Sequence, residues 1–332
     1  MNDINTINKK PLSGFAQKIV DEILFKPAEE FLSRPKKGVR SELVQLGFMA
    51  SDQQIDKSVV EKIASIVESI HSGSLIVDDI QDNSPVRRSK PSLHRIHGIA
   101  KAINTGNWLY FSAFKKLDDL DVNERIKHRL GCILHDMLFS GHIGQALDIG
   151  VDITEVPADQ IAAICESTIQ LKTGELMAAS VLLGAVAGGS SLKLEDELYQ
   201  ISLELGEILQ TYDDLKILKI KPQNEECDQK NFEDLYNRRP CYVWKYAAEH
   251  TDPDALIQLK SAVASLPDTN PLRDWVKTFE IHKNTKLALD KQKKNLMNRI
   301  VDQFGPSEFN RPYVQPIISN LFQVLEIAYE QN

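Results

Sequence analysis

The sequence has few cysteines and lacks the spacing that would give them a shared role. The four cysteines of the 332-residue chain are scattered, and no two of them form a CxxC pair. Such scatter indicates neither a zinc site nor a disulfide framework. We therefore expect free thiols and a cytoplasmic protein. The cysteines are Cys132, Cys165, Cys227 and Cys241.

Dense runs of basic residues are also absent. The chain carries 39 lysines and arginines against 47 aspartates and glutamates, which gives a formal net charge of −8. Proteins that bind nucleic acid usually show a basic face or a basic arm. We therefore expect no nucleic-acid partner.

No apolar run is both long and uniform enough to favour a membrane span. The longest uncharged stretch, residues 176–192, approaches the lower length limit but contains Gly184, Gly188 and Gly189. We predict a buried helix there and no transmembrane segment. Residues 1–12 are polar and lack the apolar segment of a secretory signal, so we expect no such signal.

Strand signals are missing, since neither sustained alternation nor hairpin turn residues occur. Apolar residues instead recur at helical spacing in several segments, and proline-containing breaks separate them without forming a linker. The sequence therefore predicts one all-α domain over residues 1–332, a helical bundle with its site in an interior cavity. The clearest apolar series are Val59, Ile63, Ile66, Val67 and Ile70, and Leu194, Leu198, Ile201, Leu205, Ile208, Leu209, Tyr212 and Leu215.

The first chemical motif is the run Asp78-Asp79-Ile80-Gln81-Asp82, followed by Arg87 and Arg88. In a helix, Asp78 and Asp82 lie one turn apart on the same face, where two carboxylates repel unless a cation lies between them. Magnesium commonly takes one or two protein carboxylates and completes its shell with water and substrate phosphates. The neighbouring guanidinium groups can bind further phosphate oxygens. The motif therefore predicts a metal-bound polyphosphate.

A second acidic pair, Asp213 and Asp214, lies at the C-terminal end of a predicted core helix. The helix dipole disfavours negative charge at that end. A cation shared with Asp78 and Asp82 would offset this cost. The pair therefore strengthens the prediction of a magnesium site.

These residues resemble the trans-isoprenyl diphosphate synthases, or polyprenyl synthetases, over about residues 34–240. Residues 78–111 are similar to the aspartate-rich region of that family along their whole length. Within the family, the sequence of this region most resembles the geranylgeranyl diphosphate synthases. The resemblance implies an isoprenoid-synthase-type helical bundle, usually a homodimer, with two aspartate-rich motifs facing a central cavity across three Mg²⁺ ions. It also implies head-to-tail condensation of isopentenyl diphosphate with an allylic diphosphate, most often to geranylgeranyl diphosphate.

The resemblance also implies a role for each site residue. The metal ligands would be Asp78, Asp82, Asp213 and Asp214. Isopentenyl diphosphate would be bound by Lys37, Arg40, His71 and Arg88, and the allylic diphosphate by Arg87, Lys230 and Arg239. The residues lining the allylic site and facing the carbocation, our catalytic candidates, would be Lys172, Thr173 and Gln210. Without the resemblance, Lys37 and Arg40 would be ordinary surface cations, and His71 is equally compatible with a core histidine.

Four positions depart from the family pattern. Ile217 stands where the second motif often has its last aspartate, and Arg239 replaces a lysine. Ser89 and Asn107 stand where glycine and aspartate are usual. We interpret Ile217 as reduced metal ligation and not as loss of activity.

The helix that precedes the first motif indicates how long the carbon chain of the product can be. Ser74 lies one helical turn, roughly 6 Å, deeper than Asp78. Because Ser74 and Gly73 are small, we expect the product to grow past them and to end near Ile70 or Val67. This favours the twenty-carbon product over the fifteen-carbon one.

Two other functions are compatible with parts of the sequence. A class I terpene cyclase shares an acidic motif and an all-α cavity but needs no second diphosphate site. Lys37, Arg40 and Arg88 argue against it. A non-catalytic subunit of a heteromeric synthase is compatible with Ile217 in the second motif.

Overall fold

The computed structural model describes residues 12–36, 38–51, 56–218, 232–250 and 253–309. Within them the chain is helical, apart from one small hairpin, which confirms the all-α prediction. The helices are α1 (Gly14–Val20), α2 (Lys26–Ser33), α3 (Val39–Ala50), α4 (Lys57–Gln81), α5 (Leu93–His97), α6 (Ile99–Asp118), α7 (Glu124–Gly150), α8 (Ala158–Ile169), α9 (Glu175–Ala187), α10 (Leu192–Ile217), α11 (Glu233–Tyr236), α12 (Tyr242–His250), α13 (Pro253–Ala264), α14 (Asn270–Thr278) and α15 (Ile281–Phe309). Two π-helical turns, Asp21–Phe25 and Gln170–Gly174, and a 3-10 turn, Ile153–Glu155, connect some of them.

The chain divides into two compact units, which we describe separately. The first comprises residues 1–38 and 65–119, and the second comprises residues 39–64 and 120–332. The expectation of a single domain over residues 1–332 stays a prediction.

The first unit is built around the second half of α4, with α2, α5 and α6. Its buried core contains Phe31, Ile76, Leu93 and Leu109. Helices α4 and α6 approach closely because both have glycine at the contact. A β-carbon at Gly73 would lie 2.7 Å from the carbonyl oxygen of Gly106.

The hairpin in the first unit follows the acidic motif. Strand β1 (Val86–Arg87) pairs antiparallel with β2 (Lys90–Pro91), with Arg87 opposite Lys90. The two residues between the strands, Arg88 and Ser89, have positive φ values of 53° and 63°. This left-handed conformation is the one that a glycine adopts without strain, which explains why glycine suits position 89.

The second unit is built around α9, which is apolar on every side and is therefore a core helix. Ten of its thirteen residues are buried. It packs against α3, and one glycine on each of the two helices faces the backbone of the other. A β-carbon at Gly47 would lie 1.8 Å from the carbonyl oxygen of Val181, and one at Gly184 would lie 1.9 Å from that of Val44.

Within the described residues, one stretch is long and apolar enough to span a membrane by length and composition. It is residues 158–187, which run through α8, the second π turn and α9. However, 61% of its most apolar window is buried inside the protein. Such burial is typical of a core helix. Helix α9 covers most of residues 176–192, for which we predicted a buried helix.

The contact between α3 and α9 gives a direct test of the packing. We expect Gly184→Ala to destabilise the protein by about 1–3 kcal/mol, because a methyl group has no room beside the Val44 carbonyl. Gly150→Ala is the matched control, since a β-carbon there meets nothing within 4 Å. Urea unfolding of both variants measures the difference. Equal midpoints would show that α3 and α9 are not packed this closely.

Candidate active site

The first acidic motif lies at the C-terminal end of α4. Asp78 and Asp79 occupy its last turn, and the Asp82 N–H donates to the Asp78 carbonyl oxygen at 2.9 Å. Asp79 is completely buried, whereas the Asp78 side chain is 18% exposed and Asp82 is half-buried. The two predicted metal ligands therefore differ from the aspartate between them.

Arg87 pairs with two of the three aspartates at this end of α4. Its Nε donates to Asp79 Oδ1 at 2.6 Å, and its Nη2 lies 3.3 Å from Asp78 Oδ2. A buried carboxylate requires such a partner, because burial without one is costly. Asp79 thus orients Arg87, which the resemblance places on the allylic diphosphate.

A buried arginine that the sequence did not single out supports the same hairpin. Arg34 Nη1 donates to the carbonyl oxygen of Arg87 at 3.1 Å, and its other nitrogens bind Glu30. Its guanidinium also lies over the ring of Phe31. The only sequence signal for this role was the position of Arg34 at the start of the family-like region.

Arg88 pairs with Glu68, which lies earlier on α4. Its Nη2 donates to Glu68 Oε1 at 2.9 Å, and its guanidinium carbon lies 5.3 Å from the centroid of the Phe31 ring. Its Nη1 is buried and has no hydrogen-bond acceptor among the residues that the structure describes. A charged donor in this state fits a phosphate oxygen.

The second acidic pair is divided in the same way as the first. Asp213 is exposed, and Asp214 is 1% exposed. Asp214 Oδ1 accepts from Gln210 Nε2 at 2.8 Å, and Oδ2 accepts from the Tyr242 backbone N–H at 2.7 Å. Burial, followed by the charge of Asp234, raises the pKa of Asp214 to about 8.

Two of the catalytic candidates contact each other. Thr173 Oγ1 donates to Gln210 Oε1 at 2.8 Å, so Thr173, Gln210 and Asp214 form one chain of hydrogen bonds. Thr173 lies in the π turn Gln170–Gly174. The pairing of Thr173 with Gln210 agrees with a shared role in the allylic site.

Glycines on α7 and α10 allow these helices to pack closely against this π turn. A β-carbon at Gly144 of α7 would lie 2.6 Å from the Lys172 backbone nitrogen. One at Gly206 of α10 would lie 2.7 Å from the Gly174 Cα. Because side chains are absent at both positions, α7 and α10 pack directly against the backbone that carries Lys172 and Thr173.

Asp148 brings Lys172 and Arg239 together. Lys172 Nζ lies 2.6 Å from Asp148 Oδ2, and Arg239 Nη1 lies 3.8 Å from the same oxygen. Asp148 and Arg239 are buried, and Lys172 is partly exposed. Two cations predicted for the allylic site thus share a carboxylate that the sequence analysis missed. Asp148 gave no signal of its own, because a lone aspartate near a helix end is usually a surface residue.

The remaining candidates are placed as follows. Arg40 is half-buried on α3, and His71 and Ser74 are half-buried on α4. Ile70 is buried. Lys37 and Lys230 lie outside the described residues, as do the side chains of Lys216 and Ile217.

Three of the four predicted metal ligands, two in the first unit and one in the second, suit Mg²⁺ individually. Asp78, Asp82 and Asp213 present carboxylate oxygens that are at least partly accessible. No three His, Cys, Asp or Glu side chains gather into a cage in the part of the chain that the structure describes. Magnesium rarely uses such cages, because it retains waters and takes oxygens from phosphates. Asp214 fits less well, since both of its oxygens already accept internal hydrogen bonds.

Comparison with known proteins identifies the class. The profile of the polyprenyl synthetase family matches residues 21–277, and the chain belongs to that family. This confirms the resemblance found in the sequence.

Two relatives share about a third of their residues with this chain over the matched regions. Geranylgeranyl pyrophosphate synthase 2 of Gibberella fujikuroi is 31% identical over 75% of this chain and 65% of its own length. Variediene synthase of Emericella variicolor is 32% identical over 65% of this chain and 29% of its own length. The chain thus spans less than two thirds of the length of either relative.

A solved structure has the same fold. The crystal structure of a geranylgeranyl pyrophosphate synthase superimposes with a TM-score of 0.76, covering 94% of this chain and 96% of that one, at 19% sequence identity. At this identity the likeness establishes the fold and not the substrate.

Proposed function

We propose that the protein is a magnesium-dependent trans-prenyltransferase that condenses isopentenyl diphosphate with an allylic diphosphate and forms geranylgeranyl diphosphate. The observation that carries the proposal is the arrangement at the end of α4. Arg87 is paired with Asp78 and Asp79 of the motif. The next residue, Arg88, is paired with Glu68 and has a buried donor, Nη1, without an acceptor among the described residues. Membership of the polyprenyl synthetase family supports it.

The chemistry requires stabilisation of a departing diphosphate. When bound, Mg²⁺ neutralises the negative charge that develops on that group. Asp78, Asp82 and Asp213 would hold the metal ions, three in number by resemblance to the family. Arg87, Lys172, Lys230 and Arg239 would bind the allylic diphosphate, so that its oxygens meet fixed positive charge as the carbon–oxygen bond breaks. Asp148 keeps Lys172 and Arg239 near each other before the substrate arrives.

The second substrate must meet the allylic cation before water does. Lys37, Arg40, His71 and Arg88 would hold isopentenyl diphosphate and thereby fix the orientation of its double bond. The oxygens of Thr173 and Gln210 would stabilise the cation through their lone pairs. The released diphosphate would take the final proton, so no side-chain base is required.

An incubation of purified protein with labelled isopentenyl diphosphate tests this proposal. Primers of five, ten and fifteen carbons with Mg²⁺ should yield a twenty-carbon diphosphate, and EDTA should abolish the product.

Arg88→Gln should raise the KM for isopentenyl diphosphate about ten-fold or more with little change for the primer, because it removes a charge-assisted contact to one substrate only. An allylic diphosphate consumed without isopentenyl diphosphate would indicate the terpene cyclase. Activity that requires an added partner would indicate the non-catalytic subunit.

The predicted carbon-chain length of the product is best tested by substitution of Ser74. Gly73 is unsuitable, because its missing side chain would point at the Gly106 carbonyl oxygen and any substitution would disturb α4 and α6. We expect Ser74→Phe to shorten the main product by five carbons or more, since the ring would fill space one turn below Asp78. Ser74→Ala should keep the twenty-carbon product. Product length is measured by chromatography. An unchanged product from Ser74→Phe would show that the growing chain does not pass Ser74.

We propose that the protein forms a homodimer, as the family resemblance implies. Helix α7 carries an exposed apolar face, where Phe139 is 65% and Ile143 is 44% exposed. A shallow groove runs along this face, lined by His135, Leu138, Phe139, His142, Ile143 and Ala146. Apolar surface of this kind is typical of subunit contacts.

Light scattering during size-exclusion chromatography tests the homodimer. We expect twice the chain mass of 37.4 kDa for the wild type and a monomer for Phe139→Glu, because a charge would be buried in the contact. Leu192→Glu is the control, since Leu192 is similarly exposed on α10. A monomeric wild type, or a Phe139→Glu variant that stays dimeric, would contradict the assignment.

A further inference from the structure

We propose that Asp214 is a positioning residue and not a metal ligand. It would hold the Gln210 amide in the orientation that makes Thr173 present its hydroxyl oxygen, and not its proton, to the substrate. The inference deepens the proposed function and rests on it, because this orientation matters only if a carbocation forms beside Thr173.

The contacts of Asp214 leave little room for a metal. Each carboxylate oxygen already accepts one N–H at 2.7 or 2.8 Å, and the residue is 1% exposed. Magnesium requires octahedral geometry and usually keeps several waters. A ligand of Mg²⁺ therefore needs an accessible oxygen, which Asp213 has and Asp214 lacks.

The structure also supplies a partner that replaces the expected cation. Tyr242 is the first residue of α12, so its N–H is one of the donors that a helix start leaves without an intrahelical acceptor. A carboxylate at this end interacts favourably with the helix dipole. Asp214 thus lies at the unfavourable end of α10 and the favourable start of α12. Asp214 therefore does not need a metal ion to offset the unfavourable helix dipole of α10.

The polarity of the hydrogen-bond chain follows from its two ends. The Tyr242 N–H and the Gln210 Nε2 both donate to Asp214, so the Gln210 oxygen points the other way and accepts from Thr173. The Thr173 proton is then committed to Gln210, and the lone pairs of Oγ1 remain available. Lone pairs stabilise a nearby cation, whereas a hydroxyl proton would repel it.

Asp214→Asn tests this chain, with Asp213→Asn as the matched variant. An asparagine at position 214 can accept from Tyr242 and donate to Gln210 only if the Gln210 amide turns over, which reverses the polarity at Thr173. We expect kcat to fall about ten-fold or more, as for other misoriented dipoles at charged intermediates. The half-saturating Mg²⁺ concentration should change less than about two-fold for Asp214→Asn and rise strongly for Asp213→Asn.

A second readout uses no turnover. Mg²⁺ with inorganic pyrophosphate should raise the Tm of wild type and of Asp214→Asn by similar amounts, because ligand binding stabilises the folded state. The same mixture should raise the Tm of Asp213→Asn much less.

The double variant Asp214→Asn with Gln210→Glu provides a rescue. The introduced asparagine then donates to the introduced glutamate while its own oxygen accepts from Tyr242, and the second oxygen of that glutamate accepts from Thr173. Every hydrogen bond is restored with the original polarity at Thr173. We expect the double variant to be more active than either single variant, a coupling that loss of a metal ligand would not produce.

The outcomes separate this inference from the proposed function. A wild type that makes no prenyl product overturns both. A wild type that makes product, with Asp214→Asn and Asp213→Asn shifting the Mg²⁺ dependence equally, overturns only the inference. Absence of rescue in a folded double variant, as judged by its Tm, also overturns it.

Discussion

Carboxylates at the C-terminal end of a long helix must be stabilised by something other than that helix. The chain meets this constraint twice, at the ends of α4 and α10. In each pair the second aspartate is buried and bonded inside its own unit, Asp79 to Arg87 and Asp214 to Gln210 and Tyr242. The first aspartate keeps accessible oxygens. Because burial without a partner is costly, each buried aspartate is fixed by its hydrogen bonds. The accessible aspartate is its neighbour in the chain and is thereby positioned as well.

The same division of labour explains the basic residues. Arg87 is held by a buried carboxylate and by the Arg34 contact to its carbonyl oxygen, and Lys172 and Arg239 are held by Asp148. A long cationic side chain loses conformational entropy when it binds a phosphate. Anchoring it in the free protein removes part of that cost. The anchoring acids are therefore as important to the proposed site as the cations that they hold.

The fold was largely predictable from sequence, because apolar residues at helical spacing identify core helices without reference to their partners. The acidic pairs were visible as short motifs, and the family was identified by the resemblance of residues 78–111 to its aspartate-rich region. The sequence did not show which aspartate of each pair is buried, since both have the same chemistry and differ only in neighbours from distant segments. Asp148 and Arg34 were missed for this reason. Gly73 was interpreted as free space below the metal site, whereas the structure uses it for contact between α4 and α6.

The burial of Asp214 also bears on Ile217. From the sequence alone, the missing acid at position 217 indicates weakened metal binding, provided that the second motif supplies several ligands. If Asp214 is committed to Gln210 and Tyr242, as we propose, Asp213 is the one ligand of that pair. Magnesium that takes its other oxygens from water and diphosphate needs no further carboxylate there. An isoleucine at 217 then removes less from the site than the motif suggests, and the buried acid matters for orientation and not for charge.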